Sequence, residues 1–353
     1  MRRLVPLVLC LACGVPSAGT EAGSSSSGVE GSSSSGAAMT TSGGVDPTTS
    51  GASGDGTSGG ASSDGEGESS SGAGETGAGF VPDCYTELKE QRLAFVCDLP
   101  RVKTDCDEVA GASCEDVDQD GLTDEWEDLL LAAMRPMRRM DEAEQLIADP
   151  SAVTGDVGRI VMVGDHVRVF VMLGYHVDYG SCGGFSGHNG DSERVALDLV
   201  ADPEGGAGGV IVAGAYTAAH ENTANDHGMV FTGAALDQLV FTPDPRTNGP
   251  RWVVYPSADK HATYATIDIC ENVSAIPCLD EDCAPDDVDD PAAYDVLSPF
   301  VNAGEEAAPR ATDLAVVGFP GEEAWVEQDF CGGLGGTGCS SSVRYKLTVD
   351  PFL

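Results

Sequence analysis

The chain has 353 residues and carries 18 Lys and Arg against 58 Asp and Glu, a formal net charge of −40. That balance excludes general nucleic-acid binding, which needs clustered Lys and Arg against phosphates, and electrostatic docking on an anionic membrane surface. Length would allow two or three domains, but Gly and Ser are concentrated at one end of the chain.

Residues 1–13 read as a secretory signal. Arg2 and Arg3 form a basic start, and Leu4 to Ala12 form an apolar run too short for a membrane-spanning helix, which needs about 20 residues. The run ends in Cys10-Leu11-Ala12-Cys13, which resembles a bacterial lipobox with Cys13 as the lipidated residue. The expected address is therefore export, as a lipoprotein of the bacterial outer membrane or cell surface held by the Cys13 lipid; plain secretion is the alternative. Residues 14–79 contain 19 Gly and 18 Ser among 66 positions and no Lys, Arg, Leu, Ile, Phe, Tyr or Trp. Such a segment buries too little apolar surface to offset chain entropy. It reads as a disordered tether over 14–80, with a coil dimension of about 45 Å.

Ten cysteines lie beyond the signal, at 84, 97, 106, 114, 182, 270, 278, 283, 331 and 339. An even number in an exported chain points to disulfides, and the lack of any Cys-x-x-Cys among these ten argues against zinc. Pairing is open; Cys106–Cys114 and Cys331–Cys339 are local candidates. Residues 81–353 carry 16 − 50 = −34 charges, an excess that favours solubility and cation binding.

In chain order, a Cys-rich segment occupies 81–115. The spacing of Trp126, Leu129, Leu130 and Ala133 predicts a helix over Glu125–Arg139, ended or kinked by Pro136. Short Val-, Ile-, Tyr- and Phe-rich runs predict strands at Arg159–Val163, Val167–Leu173, Val195–Val200, Val210–Ala213, Gln238–Phe241, Trp252–Tyr255, Thr263–Ile269, Leu314–Val317 and Val343–Val349. Gly, Pro, Asn and Asp separate them. Many strands without alternating helices predict a mainly β domain, an antiparallel β-sandwich over 128–353 with one short helix near its start. The acidic stretch Ala275–Ala293 reads as a surface loop.

The strongest local motif is residues 116–127. Asp116, Asp118, Asp120, Asp124 and Glu127 fall at positions 1, 3, 5, 9 and 12 of a calcium loop, with Gly121 at position 6 and the Leu122 carbonyl at position 7. The cofactor expected here is Ca²⁺. A lone loop in an exported protein reads as a structural clip that orders the start of the helix.

A second constellation lies between strands. Asp191 and Glu193 are two apart, so on a strand they share a face, and His188 precedes them. One His and two carboxylates suit a divalent cation, Ca²⁺ or Mg²⁺. Loop polarity without an ion is the plain alternative. Lys260-His261-Ala262-Thr263-Tyr264 places another His after a strand, while His166, His176, His220 and His227 read as ordinary polar residues and Trp325 as core.

Gly187-His188-Asn189-Gly190-Asp191-Ser192-Glu193-Arg194-Val195 resembles the G-H-x-G-D-x-E-x-V box of bacterial relatives of fungal vacuolar protein sorting-associated protein 62. Leu131 to Pro136, with Glu142 or Glu144 beyond, is similar to that family's L-A-x-x-x-x-P…E segment, and Lys260 to Tyr264 to its K-H-x-x-Y box. The three boxes occur in order over residues 116–270. The His-x-x-Asp-x-Glu spacing also resembles the heptad of necrosis- and ethylene-inducing toxin-like proteins, β-sandwiches with a divalent cation beside an acidic pocket. That resemblance implies a second metal pocket of His188, Asp191 and Glu193, with Asp178 upstream and His261 from another strand. Gly190 and Ser192 stand where the heptad has His and Trp, which argues against the toxins' membrane activity.

No Gly-x-Ser-x-Gly, His-Glu-x-x-His or phosphate loop occurs in the folded part. The leading expectation is a surface protein whose cation pocket binds an anionic or polyol ligand, a lipid headgroup or glycan. One rival is a metal-dependent hydrolase with His188 or His261 as general base. The other is a purely structural, calcium-stabilised module. The sequence carries no oligomer signal.

Overall fold

The structure is a computed structural model that describes residues 80–353 apart from 142, 146–154, 181–186, 219–227, 245–248, 272–281, 284–298, 318–323 and 326–342. The signal, the tether and Cys13 lie outside the described residues, as do the Cys331–Cys339 pair and most of the 275–293 acidic stretch.

The Cys-rich segment holds two strands and a short helix. Strands β1 (Cys84–Lys89) and β2 (Arg92–Cys97) form a hairpin through a turn with Glu90 at φ 49° and Gln91 at φ 64°, the left-handed pair that a two-residue hairpin turn requires. Cys84 and Cys97 face each other in register and are joined as a disulfide. Cys106–Cys114, one of the local pairs expected, is formed, and Cys270–Cys283 is a third bridge.

Helix α1 is one turn, Lys103–Cys106, and helix α2 runs Asp124–Met134. The expected helix over Glu125–Arg139 is ended at Pro136, as its place in the run predicts: the helix stops at Met134, and Arg135, before the proline, adopts an extended ψ of 122°. The freed residues Met137–Arg138 become a short strand, β3, parallel to Val253–Val254.

Strands β4 (Asp156–Val163), β5 (His166–Asp178), β6 (His188–Ala201) and β7 (Val210–Thr217) contain four of the predicted runs. With β1, β2, β8 (Met229–Thr232) and β12 (Phe300–Asn302) they make an eight-stranded sheet in the order β1-β2-β7-β6-β5-β4-β12, with β8 on β7. A second sheet of four strands joins β3, β9 (Val240–Asp244), β10 (Gly249–Pro256) and β11 (Thr263–Tyr264). The hairpin β13 (Gly304–Glu305) and β14 (Ala308–Pro309) stands apart. The mainly β class is as predicted. The dominant feature is a single curled sheet, and among the described residues no second sheet of equal size faces it.

Three predicted strands are corrected. Only Thr263–Tyr264 of the Thr263–Ile269 run is strand, and Ile267–Glu271 is helical. Leu314–Val317 is a 3₁₀ turn, and Val343–Thr348 is a helix. In that last segment Val343, Lys346 and Leu347 are the buried residues, the i, i+3, i+4 set of a helix face.

Both faces of the large sheet are covered. Val169, Val171, Leu173, Val195, Leu197 and Leu199 pack with Trp126, Leu130 and Leu131 of α2 in the main core. On the other face Phe170, Met172, Ala196 and Tyr216 meet Val343 and Leu347 of the last helix. The alternation of β5 and β6 sorts these residues between the two faces.

Candidate metal centre and buried histidine pocket

The 116–127 loop is shaped by its own side chains. Asp120 Oδ1 accepts the Leu122 N–H at 2.7 Å, and Gln119 and Gly121 take φ of 63° and 93°. A β-bridge between Val102 and Leu122 anchors it, with Lys103 N–H donating to Gly121 O and Thr123 N–H to Arg101 O, both at 3.0 Å. Asp124, at the first turn of α2, accepts the Val117 N–H at 3.2 Å on each oxygen.

These constraints bring the carboxylates together. Oxygens of Asp116, Asp118 and Asp120 lie within 4.8 Å of one another, as do those of Asp118, Asp124 and Glu127. Asp118 is 3% exposed and Glu127 0%. Both Asp118 oxygens, Asp116 Oδ1, Asp120 Oδ2 and Glu127 Oε1 are buried without a hydrogen-bond partner. Burial, and then the neighbouring Asp120, push the Asp118 carboxyl up to about 6. Burial, then Asp120 and Asp118, push Glu127 up to about 9, with Arg310 opposing. Unpartnered buried carboxyl oxygens are costly; these groups can hold a metal ion. Leu122 is placed at the bridge. A third group, Cys84, Cys97 and Asp98, is spoken for by the disulfide between its two sulfurs.

The second constellation sits at the end of β6. Asp191 and Glu193 share the face of Val195, Leu197 and Leu199, opposite Tyr175 and Leu173 of β5. Asp191 and Glu193 are 3% and 4% exposed. His188 pairs with Asp178 across the same strands; its side chain lies outside what is described. His261 enters from the turn after β10, held at φ 58° by its N–H on Ser257 O at 2.9 Å. It is fully buried, with Nδ1 3.0 Å from Asp191 Oδ2 and Nε2 3.4 Å from Glu144 Oε2. The Tyr175 ring stacks on it at 4.1 Å and 7°, and the Arg138 guanidinium lies 4.9 Å from the centre of that tyrosine. Burial alone would lower the His261 pKa; the bonds to Asp191 and Glu144 outweigh it and push it up to about 9.

The expected pocket residues therefore come to one end of the sheet by two routes. Asp191, His261 and Glu144 are in contact, and Glu193 lies two residues along β6 opposite Leu173. Asp178 lies to one side, its Oδ1 bound by the Gly180 N–H at 2.5 Å and its Oδ2 3.7 Å from Lys260 Nζ. Among the described residues this set is not one whose ligand atoms all converge within 4.8 Å. His261 faces a carboxylate on each nitrogen, and its Nδ1 orients Asp191. Of the two glutamates in the sequence segment beyond Pro136, Glu144 makes the contact; Glu142 lies outside the described residues. Sequence reasoning missed the Tyr175 stack, Arg138 and Arg310, because none has a spacing signature.

One solved structure similar to this chain is described as "Toxin fold for microbial attack and plant defense"; it aligns with a TM-score of 0.26 at 13% identity, covering 36% of this chain and 62% of that one. The chain thus spans less than two thirds of that structure's length, and a score so low carries no argument. No family model and no curated protein matches, so the resemblance to relatives of the vacuolar sorting-associated family rests on its ordered boxes alone.

Proposed function

We propose that this is an exported, lipid-anchored surface protein whose disulfide-bonded β domain carries Ca²⁺ in the 116–127 loop. The domain presents a second divalent-cation pocket, holding Ca²⁺ or Mg²⁺, at the Asp191–Glu193 end of its large sheet. The Cys13 lipid and the 14–80 tether hold the domain off the membrane. The second pocket takes an anionic or polyol ligand, a lipid headgroup or a glycan, and that step rests on family analogy. The sandwich form of the fold, expected from the many short strands without alternating helices, is part of this proposal.

The observation that carries the calcium assignment is the set of buried carboxyl oxygens without a partner, both of Asp118 and Oε1 of Glu127, in a twelve-position loop. All-oxygen ligation by carboxylates suits a hard cation. For the second pocket, the support is the burial of Asp191 and Glu193 on one strand face with His261 fixing Asp191. In this reading Asp191, Glu193 and His188 ligate, and Asp178 and His261 orient.

Metal content by mass spectrometry tests both parts. The oxidised protein should carry about two divalent ions, and an Asp191→Ala/Glu193→Ala variant about one. Equal content in the two proteins would sink the second pocket and leave a structural calcium module.

A further inference from the structure

The loop is not open to solvent on all sides. The β13–β14 hairpin closes over it: the Arg310 N–H donates to Ala303 O at 2.9 Å, and a Cβ on Gly304 would stand 3.0 Å from Asp118 Oδ2. From this hairpin the Arg310 guanidinium reaches into the cluster. Nη1 lies 3.3 Å from Glu127 Oε2 and 3.5 Å from Asp124 Oδ1, and Nη2 is 2.8 Å from Asp128 Oδ2. Arg310 is a long way off in sequence, 183 positions from Glu127. Glu127 is thus divided: Oε2 meets a protein cation while Oε1 is buried with no partner.

We propose that Arg310 is a built-in counter-cation of the 116–127 site, which holds Glu127 and Asp124 together before a divalent ion binds and weakens the affinity for that ion by its charge. The inference rests on the reading that this loop binds calcium. Five carboxylates converge there, and without a cation they repel. Arg310 offsets part of that repulsion, so the apo fold is stabilised. An ion drawn to Glu127 and Asp124 then stands about one carboxylate's width from the guanidinium, where two cations repel strongly in a half-dry site. Two opposing effects follow removal of Arg310: loss of charge tightens binding and loss of contacts loosens the ligands. The charge effect dominates, because the ligands are also fixed by Gly121, the Val102–Leu122 bridge and the Val117–Asp124 bonds. Lys103 gives the comparison: its Nζ is 3.9 Å from Asp116 Oδ2 but 41% exposed, so solvent screens it.

The test is calcium titration of the full protein against a chromophoric chelator, with Tm measured in EDTA. Arg310→Gln should lower the calcium Kd about tenfold while also lowering Tm in EDTA. Arg310→Lys, which retains the charge, should stay within about threefold of wild type, and Lys103→Gln within about twofold. An Arg310→Gln protein that binds calcium no tighter than wild type overturns the inference. So does an Arg310→Lys protein that binds calcium about tenfold tighter than wild type, a result that decides the matter even if the Gln variant does not fold in EDTA. Wild-type protein with no saturable calcium binding instead removes the calcium reading itself.

Discussion

Glu127 concentrates the tension in the 116–127 loop. It is 0% exposed, one oxygen has no partner, and its carboxyl is pushed up to about 9 from an ordinary 4.5, first by burial and then by Asp120 and Asp118. The linkage sign is fixed by that direction. Between about 4.5 and 9 the apo folded state holds a proton that the unfolded chain has released, so apo stability is full below 4.5 and falls as pH rises toward 9. A bound divalent cation replaces that proton and removes the slope. The gain in Tm from calcium over EDTA should therefore grow steadily from pH 5 to pH 8. Thermal melts at three pH values in each condition check it; a gain that is flat or shrinks with pH would show that Glu127 does not ligate. The carboxylate positions of this site were legible, because a twelve-position spacing with Gly at the sixth is written locally. Arg310 was not, because no local pattern connects it with a loop 183 positions away. His261 was legible as a pocket residue, but its role was not. Only the fold shows that Asp191 and Glu144 take both ring nitrogens.

At the level of elements, neither length nor apolarity separates the strands that were found from the errors: the four-residue run Val210–Ala213 lies in a strand, while the equally short and wholly apolar Leu314–Val317 is a 3₁₀ turn. Val343–Thr348 alternates well enough to read as a strand, yet it is a helix. Its C-terminal carbonyls explain the choice: Arg194, buried on the outer face of β6, donates to Lys346 O and Val349 O, a cationic cap on a helix end. No segment-by-segment reading contains that contact. Helix α2 shows the reverse case, in which the pattern and the packing agree. Trp126 is fully buried and its indole N–H donates to Gly208 O at 3.0 Å. Gly208 is confined: a Cβ there would meet Leu99 O at 2.2 Å and Trp126 Nε1 at 2.5 Å. One of those neighbours is backbone and the other is the anchor of the helix, so neither yields cheaply. Gly208→Ala should cost about 3 kcal/mol of stability, at the upper end for an overpacked core position. Urea denaturation measures it. A loss under about 1 kcal/mol would mean that α2 is free to shift and that Trp126 is not its anchor.

Across the molecule, fixed points differ in reach. The disulfides are local, closing separations of 13, 8 and 13 residues, whereas ion pairs such as Arg159–Glu305 and Arg310–Glu127 join distant segments. Arg159 on β4 grips Glu305 of the β13–β14 hairpin at 2.7 and 2.8 Å, the same hairpin that carries Arg310 to the loop. On the other side the loop is flanked by Arg101–Lys103 and by Glu115, whose carbonyl accepts the Asp124 N–H at 2.9 Å. The Cys106–Cys114 bridge closes the chain between those two flanks, two residues before Asp116. It restricts the flanks before any ion arrives, so part of the ordering entropy of binding is already spent. The Cys270–Cys283 bridge lies in a separate apolar cluster with Tyr255 and Tyr264 and shares no residue with the loop. Both cysteine-pair variants should lose stability, but their calcium behaviour should separate. Cys106→Ser/Cys114→Ser should raise the calcium Kd by about fivefold, a fraction of the full loop-closure term, while Cys270→Ser/Cys283→Ser leaves it within about twofold. Chelator competition on the two variants and wild type reads this directly. Equal Kd values in all three would mean that the loop is fixed entirely by its own turns and by the hairpin above it, with no contribution from the bridge beside it.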